Sequence, residues 1–166
     1  QSIVACGATK HVAEEIERAL EDCVGIAWLM HQDNEIVFGG GSTHAYLHNQ
    51  LNLYCRPGGR VQMAITAFAD ALLEIPSAIA ENPGLDPVDE ILDLVRESAN
   101  EDLAYYIDVE DRAGMLGNNA LEQFLIEPKQ LHTQALTSST EAAIMVLRID
   151  DVIRMNPANG SPQPPM

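Results

Sequence analysis

Apolar residues recur along this chain at intervals of three and four far more often than they alternate, which predicts a mainly helical fold. Val12, Ile16, Leu20, Cys23, Val24 and Ala27 form one stripe, and Thr9 ahead of it is a natural N-cap, so a long helix is expected to run to about His31. Asp22 falls off that stripe, on a face shared with Arg18 and Gly25. A second helix, which Ser42 can cap, should bury Leu47, Leu51 and Tyr54 and stop at Pro57-Gly58-Gly59. A third carries Val61, Ile65, Phe68, Leu72, Ile75 and Ile79, is kinked by Pro76, and ends at Asn82-Pro83-Gly84. Asp86 and Pro87 suit the N-cap and first position of a fourth, with Val88, Ile91, Leu92 and Val95 inward. Pro128 opens the last helix, whose face is Leu131, Ala135, Ala142, Val146, Ile149 and Ile153.

Strand signals are few: Ser2 to Ala5, Ile36 to Phe38, and Ala104 to Ile107. Ala113-Gly114 and Gly117-Asn118-Asn119 read as turns, Leu121 to Leu125 as a helical turn, and the proline-rich stretch from Asn156 to Met166 as a disordered tail. No internal repeat is present. The fold class that emerges is mainly α with a small β element.

Chemistry enters first at Gly39-Gly40-Gly41, between the strand Ile36-Val37-Phe38 and a helix start. Without Cβ atoms such a turn adopts positive φ and lets a ligand approach the backbone, and the N–H groups of the next helix favour negative charge. A glycine triplet alone also makes ordinary tight turns, so the motif gains weight only from its surroundings.

The 166 residues suit one ordinary domain or part of a larger one, and the formal net charge of -16 changes the list of partners. Such a surface repels phosphate backbones and anionic lipids, so neither nucleic acid nor membrane is expected as a partner. No apolar stretch is expected to reach the roughly 18 to 20 residues of a membrane span. Cys6, Cys23 and Cys55 are odd in number and form no CxxC pair, which argues against a disulfide framework or zinc site and for a reducing, cytoplasmic setting. The chain begins at Gln1 rather than Met, so it reads as a piece of something longer.

Metal chemistry finds little support. His44 and His48 are spaced to share an ion, with His31 or Cys55 as a third ligand, but no acidic base accompanies them, and a wet helix face is the expected reading. Asp108-Val109-Glu110-Asp111 lacks the spacing and central glycine of an EF-hand loop, and Asp150-Asp151 reads as a solvated helix end. No metal site is assigned.

Four segments in order, GATKHVAEEIERALED, VFGGGSTH, AFADALLEIPSAIAENPGLDP and STEAAIMVLRIDDVI, resemble the C-terminal portion of the group II chaperonins, the thermosome and its cytosolic eukaryotic relatives. The resemblance runs over roughly residues 3 to 154. It implies an ATP-driven protein-folding machine built as a double ring, with other chaperonin subunits and unfolded clients as partners and ATP with Mg2+ as cofactor in the complete subunit. Residues 1–34 would then be the descending part of the intermediate domain and 35–154 the C-terminal half of the helical equatorial domain, with 155–166 the tail.

The resemblance also implies roles. Asp22 matches the carboxylate that orients or deprotonates the attacking water; without the resemblance, it would simply pair with Arg18 one turn earlier. Gly40 and Gly41 match the glycines that lie against the nucleotide's sugar. Glu127 matches the acceptor for the ribose hydroxyls, a task that suits an acceptor-only carboxylate, and its charge would also favour the Pro128 helix. Asn119 and Ala120 are assigned to the adenine-facing wall. Ser42 and His44 stand where the family shows Ala and Glu, and Cys6 where it shows Arg.

The family's phosphate-gripping loop and apical domain have no equivalent in these residues, so the chain is expected to hold half a site. Its uncovered apolar stripes should make it sticky or oligomeric alone. The competing expectation is a helical interaction or scaffold module, derived from a chaperonin, that performs no catalysis.

Overall fold

The computed structural model of the chain describes residues 2–54, 59–99, 105–109 and 116–150. It divides into two compact units, residues 1–131 and 132–166. The elements in chain order are α1 (Lys10–Gln32), β1 (Ile36–Phe38), α2 (Ser42–Tyr54), α3 (Arg60–Leu72), α4 (Glu74–Glu81), α5 (Pro87–Glu97), β2 (Tyr106–Ile107), β3 (Leu116–Gly117), β4 (Ile126–Pro128) and α6 (Lys129–Leu147). β1 pairs antiparallel with β4, and β2 with β3. The mainly helical class with a small β element is therefore what the chain adopts.

Helix ends follow local chemistry. Thr9 Oγ1 accepts the Val12 N–H at 3.4 Å at the start of α1, and Asp86 Oδ1 accepts the Val88 N–H at 3.0 Å ahead of Pro87. Each satisfies one donor that a helix start leaves without an internal acceptor. Pro76 has no N–H to give, and the third predicted helix accordingly breaks into α3 and α4 at Leu73, whose N–H turns to Asp70 O at 3.0 Å.

The core of the first unit sets two alanines against two larger aliphatic residues. Ala45 of α2, Ala80 of α4, Leu94 of α5 and Ile107 of β2 form the buried cluster, with Ile79, Leu85, Val95, Tyr105 and Leu116 around it. A polar seam runs beside it. Asn49 Nδ2 donates to Val95 O and to Ser98 Oγ, each at 2.8 Å, tying α2 to the end of α5. His48 Nδ1 lies 3.0 Å from Ala69 O and its Nε2 lies 2.9 Å from Asn52 Nδ2, an arrangement satisfied by the neutral ring with its proton on Nδ1. The wet helix face expected for His44 and His48 is thus corrected, since His44 is buried and His48 nearly so.

Other expectations are also corrected. Ser2 to Ala5 is not a strand: no described segment pairs with it, and Ile3 and Val4 are exposed, lying along α1 in an open cleft of about 640 Å³ lined also by Glu17, Leu20, Glu21 and Val24. Ser42 is the first residue of α2 rather than its cap, and Tyr54 is 77% exposed. In α5 the buried line is Glu90 and Leu94, while Val88 and Leu92 face outward. Pro128 ends β4 and Lys129 begins α6.

The apolar stretches also need correction. Arg60–Glu81, with mean hydropathy 1.5, is long and apolar enough by length and composition to cross a membrane. It is broken at Leu73, and Ala69, Leu72, Pro76 and Ala80 are buried in the helical layer, as in the core helices of globular domains. The tail from Asn156 and the turn at Ala113-Gly114 lie outside the described residues.

The second unit contains the rest of α6, on which no described side chain is buried. Its run Thr137-Ser138-Ser139-Thr140 is poor in helix propensity, and the hydroxyls bond back to the helix, Thr137 Oγ1 to Thr133 O at 2.8 Å and Thr140 Oγ1 to Leu136 O at 2.6 Å.

Two positions run against local preference. Phe124 has φ +55. Its N–H donates to Leu121 O at 3.1 Å and the Leu125 N–H donates to Ala120 O at 2.8 Å, the paired bonds of a Schellman closure with phenylalanine where glycine is usual. Because the Phe124 side chain is 83% exposed, Phe124→Gly loses little burial and should raise stability by up to about 1 kcal/mol, read by chemical denaturation. Glu90 is a carboxylate only 6% exposed, and burial, followed by the charges of Asp93, Asp89 and Asp86, raises its pKa above the ordinary 4.5. The folded state therefore holds this proton more tightly than the unfolded chain, so stability falls as pH rises from 4.5 through the raised value. Glu90→Gln should melt higher than the parent at neutral pH, with the gap closing as pH is lowered toward 4.5, in thermal unfolding followed by circular dichroism.

Candidate nucleotide site

β1 delivers the chain into the glycine triplet, and pairing with β4 decides what stands beside it. The register sets Val37 opposite Glu127 and Phe38 opposite Ile126. One residue further, the Gly39 N–H donates to Leu125 O at 2.9 Å. Gly40 and Gly41 then turn the chain with φ +62 and +84, values that favour glycine. Ser42 N–H returns to Gly39 O at 3.2 Å, Ala45 N–H reaches Gly41 O at 3.1 Å, and Thr43 Oγ1 donates to Phe38 O at 2.6 Å, so strand, elbow and helix start are one bonded piece.

The missing Cβ atoms of the elbow face protein. A Cβ on Gly40 would lie 2.7 Å from Leu125 Cδ2 and 2.8 Å from Tyr106 Cβ; one on Gly41 would lie 2.8 Å from Pro76 Cβ. The glycines are thus required by positive φ and by internal packing, and any ligand must meet the elbow from its other side. A Cβ on Gly39 would lie 2.8 Å from Glu127 Oε1, which puts the carboxylate against the elbow backbone.

Ala120 and Asn119 reach the same place through the main chain. Ala120 is fully buried and its carbonyl accepts the Leu125 N–H, whose own carbonyl accepts the Gly39 N–H. Asn119, with φ +61, receives the Glu122 N–H at 3.0 Å. The structure therefore brings Gly40, Gly41, Ala120 and Glu127 together, with Asn119 next to them in the chain.

Asp22 makes none of the contacts just described. It is exposed on α1, eleven residues before the C-cap Asp33, which is about 16 Å along the axis at 1.5 Å per residue. The Arg18–Asp22 pair expected one turn apart is absent among the described residues, because Arg18 Nη1 bonds Glu15 Oε2 at 2.9 Å. Spacing along the chain does not point to Leu125 and Tyr106, which pack against Gly40, or to the β1–β4 pairing. The run Leu125-Ile126-Glu127-Pro128, a short apolar stretch ending in proline, is the local signal that could have found them.

Charge at the site is acidic. Lys129, two residues beyond Glu127, is tied to Glu35 at 2.5 Å, and that hydrogen bond raises the Lys129 pKa. A carboxylate against a glycine turn suits a hydroxyl-rich, uncharged group such as a nucleoside sugar, whose O–H groups it can accept. A phosphate chain would require cationic groups that these residues do not bring. Among the described residues no group of three metal-ligating side chains is present.

The TCP-1/cpn60 chaperonin family matches residues 1–157. The chain is 46% identical to thermosome subunit alpha of Methanothermobacter thermautotrophicus and 44% identical to thermosome subunit beta of Thermoplasma acidophilum, each over 92% of its length. It spans about 28% of each of those relatives. Among solved structures, the open-state monomer of a group II chaperonin from Methanococcoides burtonii matches 86% of this chain and 35% of its own, with a TM-score of 0.66 at 36% identity. By sequence along nearly its whole length, and by fold, the chain belongs to the TCP-1/cpn60 chaperonin family.

Proposed function

We propose that this chain supplies the nucleoside side of the ATP site in a cytoplasmic chaperonin subunit that assists protein folding within a double ring of like subunits. In this reading residues 1–34 belong to the intermediate domain and 35–154 to the C-terminal half of the equatorial domain. The observation that carries it is the bonded cluster of Gly39, Gly40 and Glu127 with the Ala120–Leu125 turn. Glu127 accepts hydrogen bonds from the ribose hydroxyls, Gly40 and Gly41 form the floor against the sugar, and Asn119 and Ala120 flank the base. ATP with Mg2+, when bound, supplies the phosphoryl group, and its phosphates are gripped by a part of the subunit outside these residues.

Asp22 fills a different role. An exposed carboxylate on a long helix with no buried residue reaches the nucleotide only if α1 swings toward it, and there it holds and deprotonates the attacking water. Partners in this reading are the other subunits and unfolded clients, with no place for nucleic acid or membrane.

In the full-length subunit, Glu127→Ala should weaken ATP binding by about tenfold or more, as expected for a hydrogen bond to a charged group. Asp22→Ala should leave binding near its parent value and slow hydrolysis by about 100-fold or more. Calorimetric ATP titration and phosphate release read the two separately, and unchanged values for both variants reject the assignment. The 166-residue chain alone is expected to bind ATP no tighter than tens of micromolar, since about 19 heavy atoms of nucleoside at about -0.3 kcal/mol each give only about -6 kcal/mol.

A further inference from the structure

The elbow has a brace that no motif announces. Tyr106 and Gly117 face each other across the β2–β3 pair. A Cβ added at Gly117 would strike Tyr106 Cζ, Cε1 and Cε2 at similar range, so the ring lies face-on over the glycine. At its other end the same side chain reaches the elbow, Tyr106 Cβ at 2.8 Å and Cδ2 at 3.4 Å from where a Cβ on Gly40 would be. The next amide, Ile107 N–H, donates to Gly40 O at 3.1 Å, and Ile107 itself is part of the buried core. The strand pair is therefore anchored on its core face and touches Gly40 with its other face. An aromatic side chain crossing to a glycine on the neighbouring strand covers the backbone that the glycine leaves bare. Here the bare backbone also gives the far end of the ring a place to lie flat.

We propose that Tyr106 is a positioning residue for the candidate nucleotide site, with its ring held flat by Gly117 so that its Cβ end bounds the Gly40 elbow. The proposal rests on the nucleotide reading above. Gly117 matters through the space it leaves, and Tyr106 through its aromatic bulk rather than its hydroxyl. Displacing the ring shifts the elbow backbone, which weakens the grip on the nucleoside and leaves the phosphates untouched.

The test measures ATP and adenosine binding by the full-length subunit, well below its melting temperature, with thermal unfolding recorded in parallel. Tyr106→Phe should keep parent affinity. Tyr106→Ala and Gly117→Ala should each weaken both ligands by the same factor, about tenfold, and the double variant should be no weaker than Tyr106→Ala alone. An effect of Gly117→Ala that persists in full without the ring, or equal losses in Tyr106→Phe and Tyr106→Ala, overturns the brace. Should Gly117→Ala fail to fold, the contrast between Tyr106→Phe and Tyr106→Ala carries the decision. Silence at Tyr106 and Gly117 with a loss in Glu127→Ala rejects the brace and leaves the nucleotide reading standing; silence at all three rejects both.

Discussion

Two main-chain hydrogen bonds on adjacent residues hold the first unit in its shape: Gly39 N–H to Leu125 O, and Ile107 N–H to Gly40 O. They pull in different directions, one tying the elbow to the turn before β4, the other to β2. A chain held at both residues while reversing direction has little choice of φ, and the positive values at Gly40 and Gly41 are the result. Side chains on three sides then close in, Leu125, Tyr106 and Pro76, leaving no room for a Cβ. The β1–β4 register, the position of Glu127 and the start of α2 all follow from that fixed point.

Around it the interior is filled mostly by small side chains. Alanines at 45, 69 and 80 let helices approach closely, and Leu94 is the one large aliphatic side chain fully enclosed among the described residues. What apolar bulk does not specify, polar pairing does. Asn49 bridging to Val95 and Ser98, and His48 to Ala69, fix α2 lengthwise against two neighbours, because each donor has a single backbone oxygen at the right height. An apolar contact would tolerate sliding by a fraction of a turn, while these bonds do not.

Sequence periodicity recovered the helices and their punctuation but misjudged several faces. Thr9, Asp86-Pro87 and Pro76 act through neighbours within four residues, so their effects are legible locally. Which side of α5 is buried depends on what packs against it, and Val88 and Leu92, apolar yet exposed, face away from everything described. Ser2 to Ala5 failed for a similar reason: strand propensity has no outlet without a neighbouring edge. At the candidate site, the strand–glycine–helix pattern points to Gly40 and Gly41 and the family resemblance adds Glu127, whereas Tyr106 over Gly117 is a long-range fit between two ordinary residues, invisible to spacing. The chain spans about 28% of the length of the thermosome subunits it matches.

α1 is twenty-three residues long and buries none of them. Its main-chain bonds are therefore sustained by local propensity and by the short lead-in strap, where Gly7 sits against Val12 and Ala13, rather than by the alanine-rich interior. With so little burial, its amides are expected to open and exchange with solvent deuterium ahead of those in α2 to α5.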